Sequence, residues 1–275
     1  MNKNTTSITL FASCFIALWY PLTVISEQPV PAPTAEVDTV KQQVINRLSQ
    51  IIIPMVNLED AKLEEAIDFI RMRTRELDTE EKEPTMRGMN CKNLTPEKTP
   101  DPLAPKESSD TEAKVAPVIK KLYLNNVPAI SSLKYICMLT NMKLSIGKYA
   151  LEITPSSNGD LGLVNEIDPQ AKALLQQQIK EITIPSLRLA NVTLDEAISL
   201  LRLRSAELSP QKYVNFIIMR NNDEREQPNI NQLNLRNATL ENLLIEICKQ
   251  TNHSYDVHEA AIILSPIAEK TTEKK

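Results

Sequence analysis

This 275-residue chain contains an internal repeat, which limits the folds that it can adopt. Of the 28 positions in Ile51–Asp78, 12 are identical in the gap-free alignment to Ile182–Ser209. A second block, Pro117–Pro155, aligns without gaps to Pro228–Pro266. Because self-similarity of this kind is typical of a repeated supersecondary unit, two copies of one module are predicted.

The second block matches mainly at apolar, cysteine and asparagine positions. The matched pairs include Leu124 and Leu235, Asn126 and Asn237, Leu133 and Leu244, Ile136 and Ile247, Cys137 and Cys248, and Asn141 and Asn252. The offset between the copies is 131 in the first block and 111 in the second, so the first copy holds 20 extra residues. The excess falls in residues 79–116, whose five prolines and many charges predict a disordered insert.

Each copy is predicted to open with a polar-faced helix, at residues 37–49 and 169–180. In each copy, apolar and polar residues then alternate as they do in a strand. After that, apolar residues recur with the period of a helix. The predicted class is α+β, with tandem β-α-β-β-α-β modules preceded by the extra helix. Because each helix has one apolar face, each module is expected to be a small sheet with its helices on one face.

The predicted boundaries follow from these patterns. They are a signal peptide or anchor at 1–26, a first module at 37–155 with the insert 79–116, a linker at 156–167, a second module at 168–266 and a tail at 267–275.

The N-terminal segment predicts export. Lys3 precedes an apolar run, Ile8–Ile25, which is typical of a secretory signal cleaved after Ser26. The alternative is an uncleaved membrane anchor, because a run of this length is close to the minimum for a span. In both cases the expected location of the remaining chain is the periplasm, with membrane contact only through this segment.

Composition excludes several classes of function. The four glycines do not have the spacing of a phosphate-binding loop. The net charge is −4, and removal of residues 1–26 deletes one base and no acid, which leaves −5. Such a chain lacks the basic surface that nucleic-acid binding requires, so no nucleic-acid partner is predicted.

No catalytic, cofactor-binding or metal-binding residue is predicted. The repeated Arg-x-Arg motif is interpreted as the end of an amphipathic helix, where Arg73 and Arg204 pair with Glu76 and Glu207. His253 and His258 are interpreted as surface residues. The paired acids Glu64-Glu65 and Asp195-Glu196 are interpreted as first-turn residues that favour the helix dipole.

The exported part of the chain has three cysteines, an odd number that does not favour a disulfide framework. Cys137 and Cys248 occupy equivalent apolar helix positions and are expected to be buried. Cys91 falls in the predicted insert and is expected to be the reactive thiol.

Two stretches resemble the short N-terminal domain of secretins and TonB-dependent receptors. They are Ala190–Ala197, which opens one helix, and Leu233–Leu240, which leads into Cys248–Asn252 and a closing hairpin. The resemblance implies a periplasmic, outer-membrane-associated protein-binding domain. No channel-forming segment follows in this sequence, and the strand at Tyr213–Met219 is degraded to Met89–Lys92 in the first copy, so the resemblance implies an accessory role.

Three hypotheses follow. The first is a non-enzymatic binding or assembly protein that contacts an envelope protein, or itself, through sheet edges. The second is a membrane-tethered structural scaffold. The third is an enzyme acting on envelope polymers, which would need a deep polar cleft between the copies; the partner-binding residues are not predicted.

Overall fold

A computed structural model describes residues 33–78, 91–93, 117–147, 150–210, 213–220 and 228–267. The helices and strands of the first half are α1 Pro33–Gln50, β1 Ile52–Lys62, α2 Leu63–Leu77, β2 Cys91–Asn93, β3 Val118–Pro128, α3 Ala129–Leu139, β4 Met142–Ile146 and β5 Leu151–Pro155. A short 3₁₀ turn, Leu163–Asn165, then leads into the second half.

The described part of the second half has the same order of elements. They are α4 Pro169–Glu181, β6 Thr183–Thr193, α5 Leu194–Leu208, β7 Phe216–Ile218, β8 Asn229–Thr239, α6 Leu240–Thr251, β9 His253–Val257 and β10 Ile262–Pro266. The predicted α+β class is confirmed.

The sheets differ from the prediction of one small sheet per module. Each half has an antiparallel two-stranded ribbon, β1–β3 or β6–β8, and a separate three-stranded sheet in the order β2-β5-β4 or β7-β10-β9. In each three-stranded sheet the central strand runs parallel to the short strand and antiparallel to its other neighbour. The closing hairpin supplies one more strand than predicted, so the order after the opening helix is β-α-β-β-α-β-β.

Both ribbons break their pairing at equivalent points. Pro54 lies opposite Asn126, between the paired residues Ile53 with Val127 and Met55 with Asn125. Asn126 has a left-handed φ of 49°, and its counterpart Asn237 has 48°. Asparagine tolerates this conformation better than most side chains, and proline has no N–H to donate to the ladder. Since Pro185 recurs in β6, the two ribbons share a sequence-encoded irregularity.

The central helices bury the faces that the helical period predicts. In α2 the buried residues are Leu63, Ala66, Ile67, Ile70 and Thr74, and in α5 they are Leu194, Ala197, Ile198, Leu201 and Ser205. Each residue of the second set lies 131 positions after its counterpart, as in the sequence alignment. The same face of each half therefore covers its own apolar core.

The starts of these two helices differ. Thr193 Oγ1 accepts from the N–H of Glu196 at 3.3 Å, and the Glu196 carboxylate accepts from the N–H of Thr193 at 2.8 Å. This is a capping box. In the first half Glu65 accepts from the N–H of Lys62, but a lysine side chain has no acceptor to complete the reciprocal bond.

No helix within the described ranges is long and apolar enough to cross a membrane. The predicted signal or anchor at residues 1–26 lies outside the described residues, as does most of the predicted insert. Three residues of that insert, Cys91–Asn93, form β2 instead of disordered chain.

Candidate functional site

The repeated arginine motif forms structural contacts. Arg73 Nη1 lies 2.9 Å from Glu76 Oε2, and Arg204 Nη1 lies 2.8 Å from Glu207 Oε2. These exposed ion pairs at spacing i,i+3 confirm the interpretation of the motif as a helix end.

The first arginine of each motif has a role that the sequence analysis missed. Arg71 donates to the carbonyl of Cys91 at 2.8 Å, and Arg202 donates to the carbonyl of Phe216 at 3.2 Å. The two carbonyls lie at the start of β2 and β7, so each arginine ties a short strand to its helix. Burial lowers the pKa of Arg202, whose guanidinium also stacks 4.9 Å above the ring of Tyr123. Arg71 and Arg202 are aligned with each other in the two copies, and this identity was the sequence signal that could have indicated their shared role.

All three described cysteines are buried and free. The prediction that Cys91 lies in a disordered insert is wrong, because its side chain is covered where β2 pairs with β5. Burial raises the pKa of Cys91 and of Cys248 from 9.0 to about 11, and it raises the pKa of Cys137 further. A thiol of this kind is a poor nucleophile at neutral pH.

We expect Cys91, Cys137 and Cys248 to resist a thiol reagent in the native protein and to react on unfolding. Because unfolded thiols ionise near pH 9.0 while the folded state keeps Cys91 and Cys248 neutral to about pH 11, stability should fall through that window. Labelling kinetics with and without denaturant, and chemical unfolding between pH 8 and 11, check both points. Rapid native labelling of Cys248 would contradict the assigned core face of α6.

His253 is not a surface residue, contrary to prediction, and His258 is half-buried. His253 is buried, and its Nδ1 lies 2.7 Å from the carbonyl of Thr251, which requires Nδ1 to carry the hydrogen. His258 lies at the other end of β9, and burial lowers its pKa. The His258 ring lies 6.3 Å from the ring of Tyr135, and its Nε2 lies 3.5 Å from Asp256 Oδ2. Within the described ranges no three His, Cys, Asp or Glu side chains cluster as metal ligands would.

The paired acids occupy the first turns of α2 and α5, as interpreted. Glu64 accepts from the amide of Asn93 at 2.9 Å, and both carboxylate oxygens of Asp195 accept from Arg220 Nη2 at 2.7 Å. These carboxylates therefore attach the short strands and their flanks to the helices.

One carboxylate joins the two halves. Glu259, between β9 and β10, accepts from Lys134 Nζ at 3.0 and 3.1 Å and from the hydroxyl of Ser131, both on α3. It also accepts from the N–H of Asp168 at the start of α4, at 3.2 Å. The side chains of Lys134 and Glu259 are only 12% and 9% exposed. This buried ion pair fixes the second half against the first.

A side-chain amide makes a second connection between the halves. The N–H of Asn125 donates to Asn215 Oδ1 at 2.8 Å, and Asn215 Nδ2 donates back to the carbonyl of Asn125 at 3.1 Å. Asn125 lies in β3, so the buried amide of Asn215 occupies the edge of that strand as a neighbouring strand would.

An open cavity of about 760 Å³ lies beside this junction, between α1, α3 and the start of α4. Its described lining includes Lys134, Glu166, Asp168 and Glu259. Glu166 pairs with Lys41 at 3.0 Å, Asp168 caps α4, and Glu259 binds Lys134. The acids that line the cavity are thus engaged in holding elements together.

The edge of β4 is occupied by the linker that joins the halves. The N–H of Leu144 donates to the carbonyl of Leu161 at 3.1 Å, and Leu144 forms a parallel bridge with Gly162. The following residues Leu163 and Val164 are buried against the first core. The fold therefore binds an extended segment along a sheet edge within its own chain.

No family model, curated protein or solved structure matches this chain.

Proposed function

We propose that this chain is a non-catalytic protein-binding or assembly component of a secretion-type or receptor-type envelope system. In this proposal it consists of two tandem modules similar to the short N-terminal domain of secretins and TonB-dependent receptors, is exported to the periplasm, and uses no cofactor. The equivalent element order of the two halves and their shared ribbon irregularity support the tandem arrangement.

The observation that carries the proposal is the pairing of Leu144 with the Leu161-Gly162 segment. Sheet edges bind extended polypeptide through backbone hydrogen bonds, and this fold already does so with its linker. Asn215 also occupies the edge of β3, with its side-chain amide. Because small open sheets have more than one such edge, strand addition is the binding mode we propose.

A scaffold role is the second candidate, favoured by the buried pair of Lys134 and Glu259. A fixed angle between two modules suits a spacer that positions other proteins. The envelope-polymer enzyme is less well supported, because the acids lining the junction cavity hold α1, α3 and α4 in place instead of facing one another as an acid and a base would.

Capture followed by photo-cross-linking tests the proposal. Residues 27–275 would carry a photoreactive phenylalanine at Met55, Ser186 or Ser254, which are exposed strand positions. Gln176, exposed on α4, is the matched control. After incubation with an envelope extract we expect one protein to cross-link at one or more strand positions and not at Gln176. Cross-links only at Gln176, or turnover of an envelope polymer, would overturn the proposal.

A further inference from the structure

We infer that the groove between α6 and β9 is a docking site for an extended apolar segment of a partner protein. This inference rests on the proposed protein-binding function and names its site. The two halves have equivalent grooves, and one of them is filled by the chain itself.

The filled groove lies between α3 and β4 in the first half. Its occupant is Leu161-Gly162-Leu163-Val164, whose Leu163 and Val164 side chains are 4% and 2% exposed. Gly162 has a φ of 62°, and a Cβ there would lie 2.4 Å from the carbonyl oxygen of Leu144. The close approach of the two backbones therefore requires glycine. Beyond the turn, Lys134 Nζ donates to the carbonyl of Glu166 at 2.6 Å.

The equivalent groove in the second half is open, with a volume of about 330 Å³. It is lined by residues of α6, by β9 and by Ile267, whose side chain is 50% exposed. Cys248 stands where Cys137 stands in the first half, and Ile245 replaces Lys134. Lys249 in turn replaces Met138, so the two changes put one apolar and one charged side chain of α6 at the groove.

The strand edge beside this groove has an available donor. Tyr255 is the counterpart of Leu144, and it pairs with Leu264 in β10. The carbonyl of Leu264 accepts from Met219 on the β7 side at 2.8 Å, so the backbone groups of Leu264 point away from β9. By the alternation of antiparallel pairs, the N–H of Tyr255 then points outward. No acceptor for this N–H occurs among the described residues.

The two chain segments next to this groove do not supply its occupant. Residues 268–275 carry one apolar side chain, Ala268, and so lack the Leu-Gly-Leu-Val pattern of the filled groove. The linker that has this pattern is already seated on β4. The occupant we propose is therefore an extended segment of another protein with apolar side chains on either side of a glycine, which bonds to the N–H of Tyr255.

A peptide binding experiment tests this inference. The probe is a fluorescent peptide with the sequence of residues 158–167, added to residues 27–275, whose first groove is occupied. We expect saturable binding, slower hydrogen exchange of the Tyr255 amide, and affinity at least about tenfold weaker for the peptide carrying Gly162→Val.

Two protein variants complete the test. Ile245→Asp places a charge in the groove and should abolish binding, while Leu203→Asp alters an exposed leucine on α5, 55% exposed, and should leave binding unchanged. No binding, equal binding by the Ile245→Asp variant, or dimerisation by exchange of linkers would overturn the inference. If the peptide fails while envelope cross-links form at Met55 or Ser186, only this groove assignment falls and the proposed function stands.

Discussion

Replacing Leu244 by alanine should lower the free energy of unfolding of the second half by about 2–5 kcal/mol. Leu244 lies on α6, is fully buried, and belongs to the core that α5 and α6 cover. Since small domains have only about 5–15 kcal/mol of stability, this loss should be large enough to separate the melting of the two halves. Calorimetry should then record two transitions, with the lower one belonging to residues 168–266.

Asn242→Ala on the same helix is the matched control, because its side chain is exposed. It should change stability by no more than about 0.5 kcal/mol. Leu133→Ala, the equivalent core change in α3, should lower the first transition instead. Equal effects of Leu244→Ala and Asn242→Ala would show that the buried face of α6 is wrongly assigned.

Replacing Glu259 by alanine should cost about 3–5 kcal/mol, because it leaves the charge of Lys134 buried without its partner. It also removes the acceptor of the Ser131 hydroxyl and of the Asp168 N–H. The expected result is loss of cooperativity between the halves, measured by denaturant unfolding monitored separately in each half.

The double change Lys134→Met with Glu259→Met tests whether the loss of stability comes from the unpaired charge of Lys134. Replacing a buried pair by apolar side chains of similar volume is often neutral or stabilising, so the double variant should recover most of the lost stability. A double variant as unstable as Glu259→Ala would mean that the hydrogen bonds of Glu259, and not its charge pair, join the halves.

Local sequence patterns predicted much of each half. The buried faces of α2 and α5 follow directly from the helical period of their apolar residues. The spacing of Thr193 and Glu196 indicates a capping box. Comparison of the two copies placed a degraded strand at Met89–Lys92, which overlaps β2. The insert was nevertheless predicted to be disordered, because three residues carry too little periodicity to outweigh a proline-rich neighbourhood. The burial of β2 depends on pairing with Leu151, 60 positions along the chain, which no local window contains.

The contacts between the halves could not be predicted either, because the residues that form them lie far apart in the sequence. Lys134 and Glu259 are separated by 125 positions, and neither belongs to a repeated motif. Arg71 and Arg202 did repeat, yet their carbonyl partners became identifiable only once the short strands were placed. The open groove at Tyr255 required both halves in three dimensions, since it is defined by a segment that one half has and the other lacks.

Both the proposed function and the comparison of the two grooves require that the chain contains two copies of one module. A crystal structure of residues 27–275 tests it most directly, through superposition of β1–β5 and their helices on β6–β10 and theirs. We predict the same strand order and pairing in both halves, with left-handed backbone at the equivalent pairs Asp60 and Asn191, Asn126 and Asn237, and Asn141 and Asn252. A different strand order in either half would contradict the repeat and, with it, the comparison of the two grooves.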